Sequence, residues 1–169
     1  MIVCIIRHGK AKRDSASGSD VDRALRRRGI RQAEFLSRAL CERLPSPCVV
    51  YSSPFTRARQ TAEPIAAALG AELRFDQRLE VGRPASHALE LITENGAHHK
   101  AICLVGHHPQ LAELIAVLTQ GPTAAAEHLR TGEASLCTLD DWTQPIGQGC
   151  EIGRLRLDEH IEPPAMNGH

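Results

Sequence analysis

The sequence has few aromatic side chains, no long apolar run and no excess of charge of either sign. Its 169 residues include 1 Trp, 1 Tyr and 3 Phe, and 20 Lys and Arg balance 20 Asp and Glu. A protein that binds nucleic acid usually carries stacking aromatics and a basic balance, so we expect no nucleic-acid partner. The longest apolar runs, such as Ile2–Ile6, are far shorter than the ~20 residues that a membrane span needs, so we expect no transmembrane helix and no membrane partner.

Motifs for metals and nucleotide cofactors are absent as well. The six cysteines, at positions 4, 41, 48, 103, 137 and 150, form no CxxC pair, a pattern that predicts neither a zinc knuckle nor a disulfide scaffold. The sequence contains no P-loop signature and no dinucleotide fingerprint. No basic residue precedes the first apolar run, which differs from the order in a signal peptide. We therefore expect a cytoplasmic protein that uses no metal and no cofactor, and nothing in the sequence indicates an oligomeric state.

The charges are unevenly distributed along the chain. Residues 1–59 hold 13 basic and 5 acidic side chains, whereas residues 60–169 hold 7 and 15. Of the 20 basic residues 17 are Arg, whose planar guanidinium suits bidentate binding of oxyanions. Five of these arginines form a run, at Arg23, Arg26, Arg27, Arg28 and Arg31. The run either docks an acidic partner surface or covers a solvated helix face, and the sequence leaves both interpretations open.

Short apolar runs alternate with helical patterns, which predicts an α/β fold. We expect a three-layer sandwich with a mostly parallel central sheet flanked by helices. Strands are predicted at Ile2–Ile6, Cys48–Ser52, Glu72–Phe75 and Ala101–Val105, with a closing pair near Ser135–Leu139 and Ile152–Leu157. A chain of this length is expected to form a single domain over residues 1–158. The tail from Glu159 to the end contains Pro and Gly and is expected to fray.

Four helices are predicted between the strands. In the first, apolar residues recur every three or four positions and predict one buried stripe, made of Ile30, Ala33, Leu36, Leu40 and Leu44. Glycines end the next helices, which are predicted at Phe55–Leu69 before Gly70 and at Pro109–Thr119 before Gly121. A shorter helix is predicted at Ser86–Asn95, with Ser86 as its N-cap. Residues 121–134 and 140–150 are predicted to be loops.

Unusual polar residues follow three of the predicted strands. The junctions read Arg7-His8-Gly9, Ser52-Ser53-Pro54-Phe55-Thr56-Arg57 and Gly106-His107-His108-Pro109. Ligands of open parallel sheets collect beyond the carboxyl ends of the strands, where helix N-termini also point. The sequence therefore predicts that two arginines and two histidines converge on one crevice.

These residue types suit phosphoryl transfer through a phosphohistidine. A neutral imidazole is a good nucleophile near pH 7 when its other nitrogen is held by an acceptor, and His8 is placed for that role. Arg7 and Arg57 are expected to clamp the phosphoryl oxygens, and His107, if protonated, is expected to add a third donor. Gly9 is expected to let the backbone approach the anion closely. This chemistry requires no metal.

The three junctions also carry a resemblance to a known family. Arg7-His8-Gly9, Ser53-Pro54 with Arg57 and Gln60-Thr61, and Val105-Gly106-His107-His108-Pro109 resemble the motifs of the histidine phosphatase superfamily, which includes the phosphoglycerate mutases. The similarity spans residues 2 to 157. The small size, Asp22-Arg23 with Leu25 and Gly29, and Thr138-Leu139-Asp140 are most similar to bacterial SixA-type phosphohistidine phosphatases.

The resemblance implies a phosphoglycerate mutase-like fold, His8 as the nucleophile and a phosphate pocket of Arg7, Arg57 and His107. Larger relatives insert a lid after the third strand that carries a glutamate acid, whereas this chain has only the short stretch from Asp76 to Ala85. Glu80 lies in that stretch and is the candidate acid and substrate-binding residue. Arg26 replaces the Thr or Ser that is usual before the first helix, which removes a cap.

An open site without a clearly assigned general acid favours phosphohistidine on a protein as the substrate. The P–N bond of phosphohistidine breaks with less assistance than the P–O bond of an alkyl ester needs. A small-molecule phosphomonoesterase and a non-catalytic phosphate-binding module are the alternatives within this fold.

Cys150 to Arg156 has the C-x5-R spacing of cysteine-dependent phosphatases, but Ile152, Leu155 and Leu157 predict a strand there. A metallohydrolase using His8, His107 and His108 would need carboxylate partners that no helix motif supplies.

Overall fold

Six strands form one sheet in the computed structural model, which describes residues 1–119, 129–138 and 156–164. In chain order the strands are β1 (Ile2–Arg7), β2 (Cys48–Ser52), β3 (Glu72–Phe75), β4 (Ala101–Gly106), β5 (Ala134–Thr138) and β6 (Arg156–Ile161). Their spatial order is β3-β2-β4-β1-β5-β6. The first four strands pair in parallel, and β5 and β6 add two antiparallel pairs. The mostly parallel sheet of the sequence prediction is confirmed.

The register of the two central strands brings the predicted site residues together. β1 pairs with β4 from Ile2 opposite Ala101 to Arg7 opposite Gly106. The residues that follow, His8 and His107, therefore leave adjacent strands at the same edge of the sheet. Parallel pairing over the whole length of both strands is what places their carboxyl ends side by side.

The helices cover both faces of the sheet. They are α1 (Arg27–Cys41), α2 (Thr56–Leu69), α3 (Ala85–Asn95) and α4 (Gln110–Thr119). Successive strand residues point to opposite faces, so β1 contributes Val3 and Ile5 to the apolar cluster under α3 and α4. It contributes Cys4 and Ile6 to the cluster under α1 and α2. The sheet is thus buried between two helical layers, as predicted.

The first helix is rotated relative to the predicted stripe. Ile30 is 48% exposed, so its assignment to the buried face is wrong. Gly29 faces the segment that follows β1 instead, where its backbone lies too close to that of Lys10 for any side chain. Leu44 lies beyond the end of α1, where it packs against the core as a partly buried residue.

Three predicted helix starts differ from the structure by one residue. α2 begins at Thr56 rather than at Phe55. α3 begins one residue earlier than predicted and is preceded by Pro84 in an extended conformation. Ser86 is the second residue of the helix, so the prediction that it forms the N-cap is wrong. α4 begins at Gln110, directly after Pro109. Gly70, in the left-handed conformation, ends α2 as predicted.

The last strand corrects the predicted C-terminal tail. β6 runs to Ile161, which pairs with Ala134 of β5. Residues 159–161 are therefore held by the sheet, and the prediction that the chain frays from Glu159 is wrong for them. Arg156 opens this strand. Of the loop predicted at 121–134, Ala134 belongs to β5 instead, and residues 121–128, with Gly121, lie outside the described residues. The loop predicted at 140–150, with Cys150, and residues 152–155 lie outside them as well. Among the described helices, none is both long and apolar enough to cross a membrane.

Candidate active site

His8 follows β1 and is 9% exposed. Its Nδ1 lies 2.8 Å from the carbonyl oxygen of Gly9. A carbonyl oxygen can only accept a hydrogen bond, so Nδ1 carries the proton and the neutral ring keeps an unprotonated Nε2. The Nε of Arg57 lies 3.3 Å from that Nε2. The local backbone thus selects the tautomer that a nucleophilic imidazole needs.

Arg57 comes from the first turn of α2 and is 5% exposed. Its Nη1 donates to the backbone oxygen of Asp20 at 2.7 Å, and its Nη2 donates to the Asp20 carboxylate at 3.0 Å. The same carboxylate accepts a hydrogen bond from Arg23 at 2.6 Å. The hydrogen bond from Arg23, followed by that from Arg57, lowers the pKa of Asp20. The turn that contains Asp20 therefore fixes the direction of the Arg57 guanidinium.

His107 follows β4 and is buried. Its Nε2 lies 2.9 Å from the hydroxyl oxygen of Ser53, which also accepts the backbone N–H of Phe55 at 3.3 Å. If the hydroxyl donates to Nε2, the ring proton is on Nδ1. That nitrogen is buried and has no hydrogen-bond partner in the described part of the chain. His107 then offers one free donor while it is neutral.

The two histidine rings lie beside each other, with centroids 5.0 Å apart. Burial lowers the pKa of His8 to about 4, with positive Arg57 and Arg7 contributing in the same direction. Burial also lowers the pKa of His107 to about 3, and the neighbouring His8 and Arg57 add to this effect. Both rings are therefore neutral near pH 7 in the free protein. Burial is the larger cause of both shifts, and the positive arginines add to it.

Arg7 ends β1 and is half-buried. Its Nη1 donates to the carbonyl oxygen of Leu129 at 2.9 Å. Its Nε is buried and has no partner among the described residues. The guanidinium is thus anchored at one nitrogen, and the residue lines the active-site cavity. Burial lowers the pKa of Arg7.

These side chains surround one open cavity of about 380 Å³. Arg7, His8, Arg57 and His107 all line it, so the structure brings the four predicted pocket residues together. The remaining lining residues are Lys10, Ala11, Asp20, Arg23, Val81, His108 and Thr131. The cavity thus holds three imidazoles, of which His8 and His107 are neutral near pH 7, together with four cationic side chains and one carboxylate. This set is suited to a phosphoryl dianion and to a nucleophilic attack on it.

Gly9 has a different structural role from the predicted one. Its N–H donates to the hydroxyl of Thr61 at 3.0 Å, and Gly9 does not line the cavity. A Cβ on Gly9 would lie 2.7 Å from the carbonyl oxygen of Gly29. Glycine is required here because two backbone segments meet, and the close approach of an anion stays a prediction.

Glu80 is not brought into the cavity. Its carboxylate lies 3.4 Å from Arg83, and the adjacent Val81 is the residue that lines the pocket. The structure therefore gives no support to Glu80 as an acid or as a substrate ligand. Arg26 is the N-cap of α1 and makes no side-chain capping bond, in agreement with the lost cap in the sequence prediction.

Sequence reasoning missed Asp20 and Lys10 as lining residues. Asp20 reaches Arg57 across 37 positions of the chain, through a loop that shows no periodic pattern. Lys10 lies two residues after His8, and this closeness in sequence was the one available signal. Arg23 was noted as part of the basic run, but its place beside the pocket was not predicted.

A possible metal-ligand group lies elsewhere. Among the described residues, ligand atoms of Glu133, His160 and Glu162 lie within 4.8 Å of one another. His160 Nε2 is 3.3 Å from the Glu133 carboxylate, and its Nδ1 is 3.0 Å from Ser135. This group differs from the three histidines that the sequence analysis considered for a metallohydrolase.

Comparison with known proteins identifies sequence relatives. The sequence pattern of the histidine phosphatase superfamily (branch 1) matches residues 3–81. The uncharacterized protein Rv1276c of Mycobacterium tuberculosis (strain ATCC 25618 / H37Rv) is 31% identical over 140 residues, covering 78% of this chain and 86% of that protein. The match to the family pattern includes Arg7, His8 and Arg57.

Solved structures share the fold at lower identity. The candidate phosphohistidine phosphatase SixA from Agrobacterium tumefaciens has a TM-score of 0.79 at 22% identity, covering 96% of this chain and 97% of that one. The protein histidine phosphatase SixA complexed with tungstate has a TM-score of 0.77 at 22% identity, covering 99% and 100%. The mycobacterial glucosyl-3-phosphoglycerate phosphatase Rv2419c has a TM-score of 0.68 at 20% identity, covering 93% and 96%.

Proposed function

The chain belongs to the histidine phosphatase superfamily, and from this membership, which supports a phosphatase, we propose that it hydrolyses phosphohistidine on a protein through a phosphorylated His8. The observation that carries the proposal is the hydrogen bond from His8 Nδ1 to the Gly9 carbonyl. It keeps Nε2 unprotonated, as the acceptor of a hydrogen bond from Arg57 Nε, beside a cavity lined by Arg7, Arg57 and His107. The roles of all four residues are part of the proposal.

The first chemical step is attack of His8 Nε2 on phosphorus. A nitrogen–phosphorus bond forms while the bond from phosphorus to the leaving imidazole breaks, and the leaving nitrogen takes a proton from solvent in the open cavity. Arg7 and Arg57 donate to the phosphoryl oxygens, whose charge is spread in the transition state. Water then attacks phosphorus, the bond to His8 breaks, and inorganic phosphate leaves.

The choice of phosphohistidine as substrate rests on the lack of a suitable acid. Glu80 lies outside the cavity, and hydrogen bonds from Arg23 and Arg57 hold Asp20 as a carboxylate. Among the described lining residues, no protonated carboxyl is therefore available to protonate an alkoxide. A P–N bond to imidazole needs less assistance in breaking than an alkyl ester does. The names of the SixA structures are consistent with this substrate class.

A small phosphomonoester is the second candidate. The likeness in fold to glucosyl-3-phosphoglycerate phosphatase supports it, as does the size of a cavity that would admit a small ester. The two candidates share the phosphohistidine intermediate and differ only in the leaving group. A non-catalytic phosphate-binding module is less well supported, because all four pocket side chains are present.

The test combines substrate ranking with trapping of the intermediate. We expect kcat/KM to be highest for a phosphohistidine protein, lower for small sugar phosphates and lowest for a phosphoserine peptide. Brief incubation with labelled phosphohistidine protein should leave an acid-labile, alkali-stable label on the wild type. His8→Asn should lose both label and turnover, whereas His98→Asn, an exposed histidine away from the cavity, should keep both. Label on His98 or turnover by His8→Asn would refute the proposal.

A further inference from the structure

The start of α1 departs from three local rules of helix stability. Its N-cap, Arg26, makes no capping bond, and the first turn contains no acidic residue. Basic side chains occupy that turn instead, although the positive end of the helix dipole disfavours them. Local rules are most often broken where a segment serves function. The arginines at this helix start therefore need an explanation other than helix stability.

Five cations form what we call the basic rim: Lys10, Arg26, Arg27, Arg28 and Arg31. All five side chains are exposed. Within the described ranges, none makes a side-chain hydrogen bond or ion pair. Ile30 lies between Arg27 and Arg31 on the outer face of α1 and is 48% exposed. The rim thus combines unpaired positive charge with an exposed apolar side chain, as protein interfaces do.

The basic rim is continuous with the active-site cavity. Lys10 and Thr131 line both that cavity and a second one of about 290 Å³, which Arg28 also lines. The N–H of Arg26 donates to the carbonyl oxygen of Lys10 at 2.8 Å, which fixes the helix start against the strand end that carries His8. Glu133 and Glu162 line the second cavity too. Their carboxylates lie 3.3 Å and 3.6 Å from His160 Nε2, so they contact that ring rather than the rim cations.

We propose that the basic rim is the docking surface for an acidic segment of the phosphohistidine-bearing protein, with Ile30 as its apolar contact. The inference rests on the proposed function and specifies the partner. A substrate residue that enters the cavity brings its flanking chain across Lys10 towards Arg27 and Arg31. Acidic flanks would meet charges that have no partners among the residues that the structure describes, so association is accelerated and correctly oriented.

A protein segment fits this surface better than other polyanions do. Single-stranded nucleic acid would need stacking aromatics beside the cations, and the rim contains an aliphatic side chain only. The rim also borders the open active-site cavity through Lys10, to which a docked protein chain can deliver one modified side chain.

The test uses two synthetic peptides, each with one phosphohistidine, flanked either by Asp and Glu or by Ser and Gln. At low salt the wild type should have a kcat/KM about tenfold higher for the acidic peptide. The double variant Arg27→Glu/Arg31→Glu should lose that preference. Free phosphohistidine should be hydrolysed at the wild-type rate, because neither side chain lines the cavity. Arg38→Glu, on the same helix about 10 Å beyond Arg31, should keep the preference.

The outcomes separate the docking surface from the proposed function. If the wild type hydrolyses neither peptide nor free phosphohistidine, the proposed function fails. If it hydrolyses both peptides equally, or if Arg38→Glu is as damaging as the double variant, the docking surface is refuted while the function stands. A third outcome is that the wild type shows no peptide preference but binds a DNA duplex or vesicles of anionic lipid, and that the double variant loses this binding. That result would refute the peptide docking surface and assign the rim to another polyanion. Thermal unfolding of Arg27→Glu/Arg31→Glu checks that loss of preference is not loss of fold.

Discussion

Asp20 holds Arg57 through both terminal nitrogens of the guanidinium, one bound to its backbone oxygen at 2.7 Å and the other to its carboxylate at 3.0 Å. The third nitrogen, Nε, faces His8. One exposed residue in a loop thus sets the direction of a buried cation beside the proposed nucleophile. The same carboxylate also competes with a phosphoryl dianion for Arg57 and Arg23.

Asp20→Asn should make inorganic phosphate a stronger competitive inhibitor. Removing a half-exposed competing charge is worth up to about 1 kcal/mol, which corresponds to a Ki about fivefold lower. The Asn side chain keeps an oxygen for one arginine, and the backbone bond to Arg57 is retained. Asp22→Asn is the matched control, because Asp22 lies in the same turn, bonds to Ser17 and does not line the cavity. A higher Ki in Asp20→Asn would mean that orienting Arg57 outweighs the competition.

Arg57→Ala should greatly reduce turnover, whereas Arg59→Ala should have little effect. Removal of one donor to the phosphoryl group typically costs about 2 to 4 kcal/mol in transition-state stabilisation. Arg59 lies on the same helix but is half-exposed, 3.9 Å from Glu63 and 4.8 Å above the Phe75 ring. Comparison of kcat/KM for the two variants on one substrate measures the difference. Equal losses would show that the contribution of Arg57 is not specific to the site.

Much of this arrangement follows from local sequence patterns. The bounds of β2 and β3 were predicted to the residue because short apolar runs end at turn-forming residues. The convergence of Arg7, His8 and His107 followed from the edge of a parallel sheet where ligands collect. Their catalytic roles stay predictions.

Contacts between distant segments could not be predicted in this way. The periodic pattern of α1 allows either Ile30 or Gly29 on the inner face, and the choice depends on a backbone contact with Lys10 across the fold. The contact between Asp20 and Arg57 could not be predicted for the same reason, because it forms only where the loop that contains Asp20 lies over α2. Pairing with β5 holds the strand that includes Glu159. In the sequence, the Pro and Gly residues of the tail predicted fraying, and this pairing could not be predicted.

Gly29→Ala should destabilise the protein and displace Lys10. A Cβ on Gly29 would touch the Lys10 carbonyl oxygen and lie 2.8 Å from the Lys10 nitrogen. Both are backbone atoms, which cannot rotate away, so a loss of about 1 to 3 kcal/mol in the free energy of unfolding is expected. Urea unfolding measures it. In the control, Gly106→Ala, the nearest contact is 3.4 Å from Leu79, so a smaller loss is expected. Equal losses would contradict the proposed backbone contact.

The last prediction concerns the protonation of His8. Burial lowers its pKa to about 4, so NMR titration of the free protein should find the His8 ring neutral down to about pH 5, well below the ordinary value of about 6.5. Between these two values the unfolded chain binds a proton that the folded chain does not. Stability should therefore fall as the pH is lowered from 7 to 5, by about 2 kcal/mol for this ring. His107, with a pKa lowered to about 3, should contribute with the same sign.

His8→Asn separates this effect from general acid unfolding. The variant has no ring to protonate at this position, so its free energy of unfolding should depend less on pH between 7 and 5, by about the contribution of one ring. His98→Asn, which removes an exposed histidine, should follow the wild type. A His8 midpoint near 6.5 by NMR, or an unchanged pH slope in His8→Asn, would show that the ring is hydrated in solution. The nucleophile would then be partly protonated near neutral pH, and activity should decline below about pH 6.5 instead of below about pH 4.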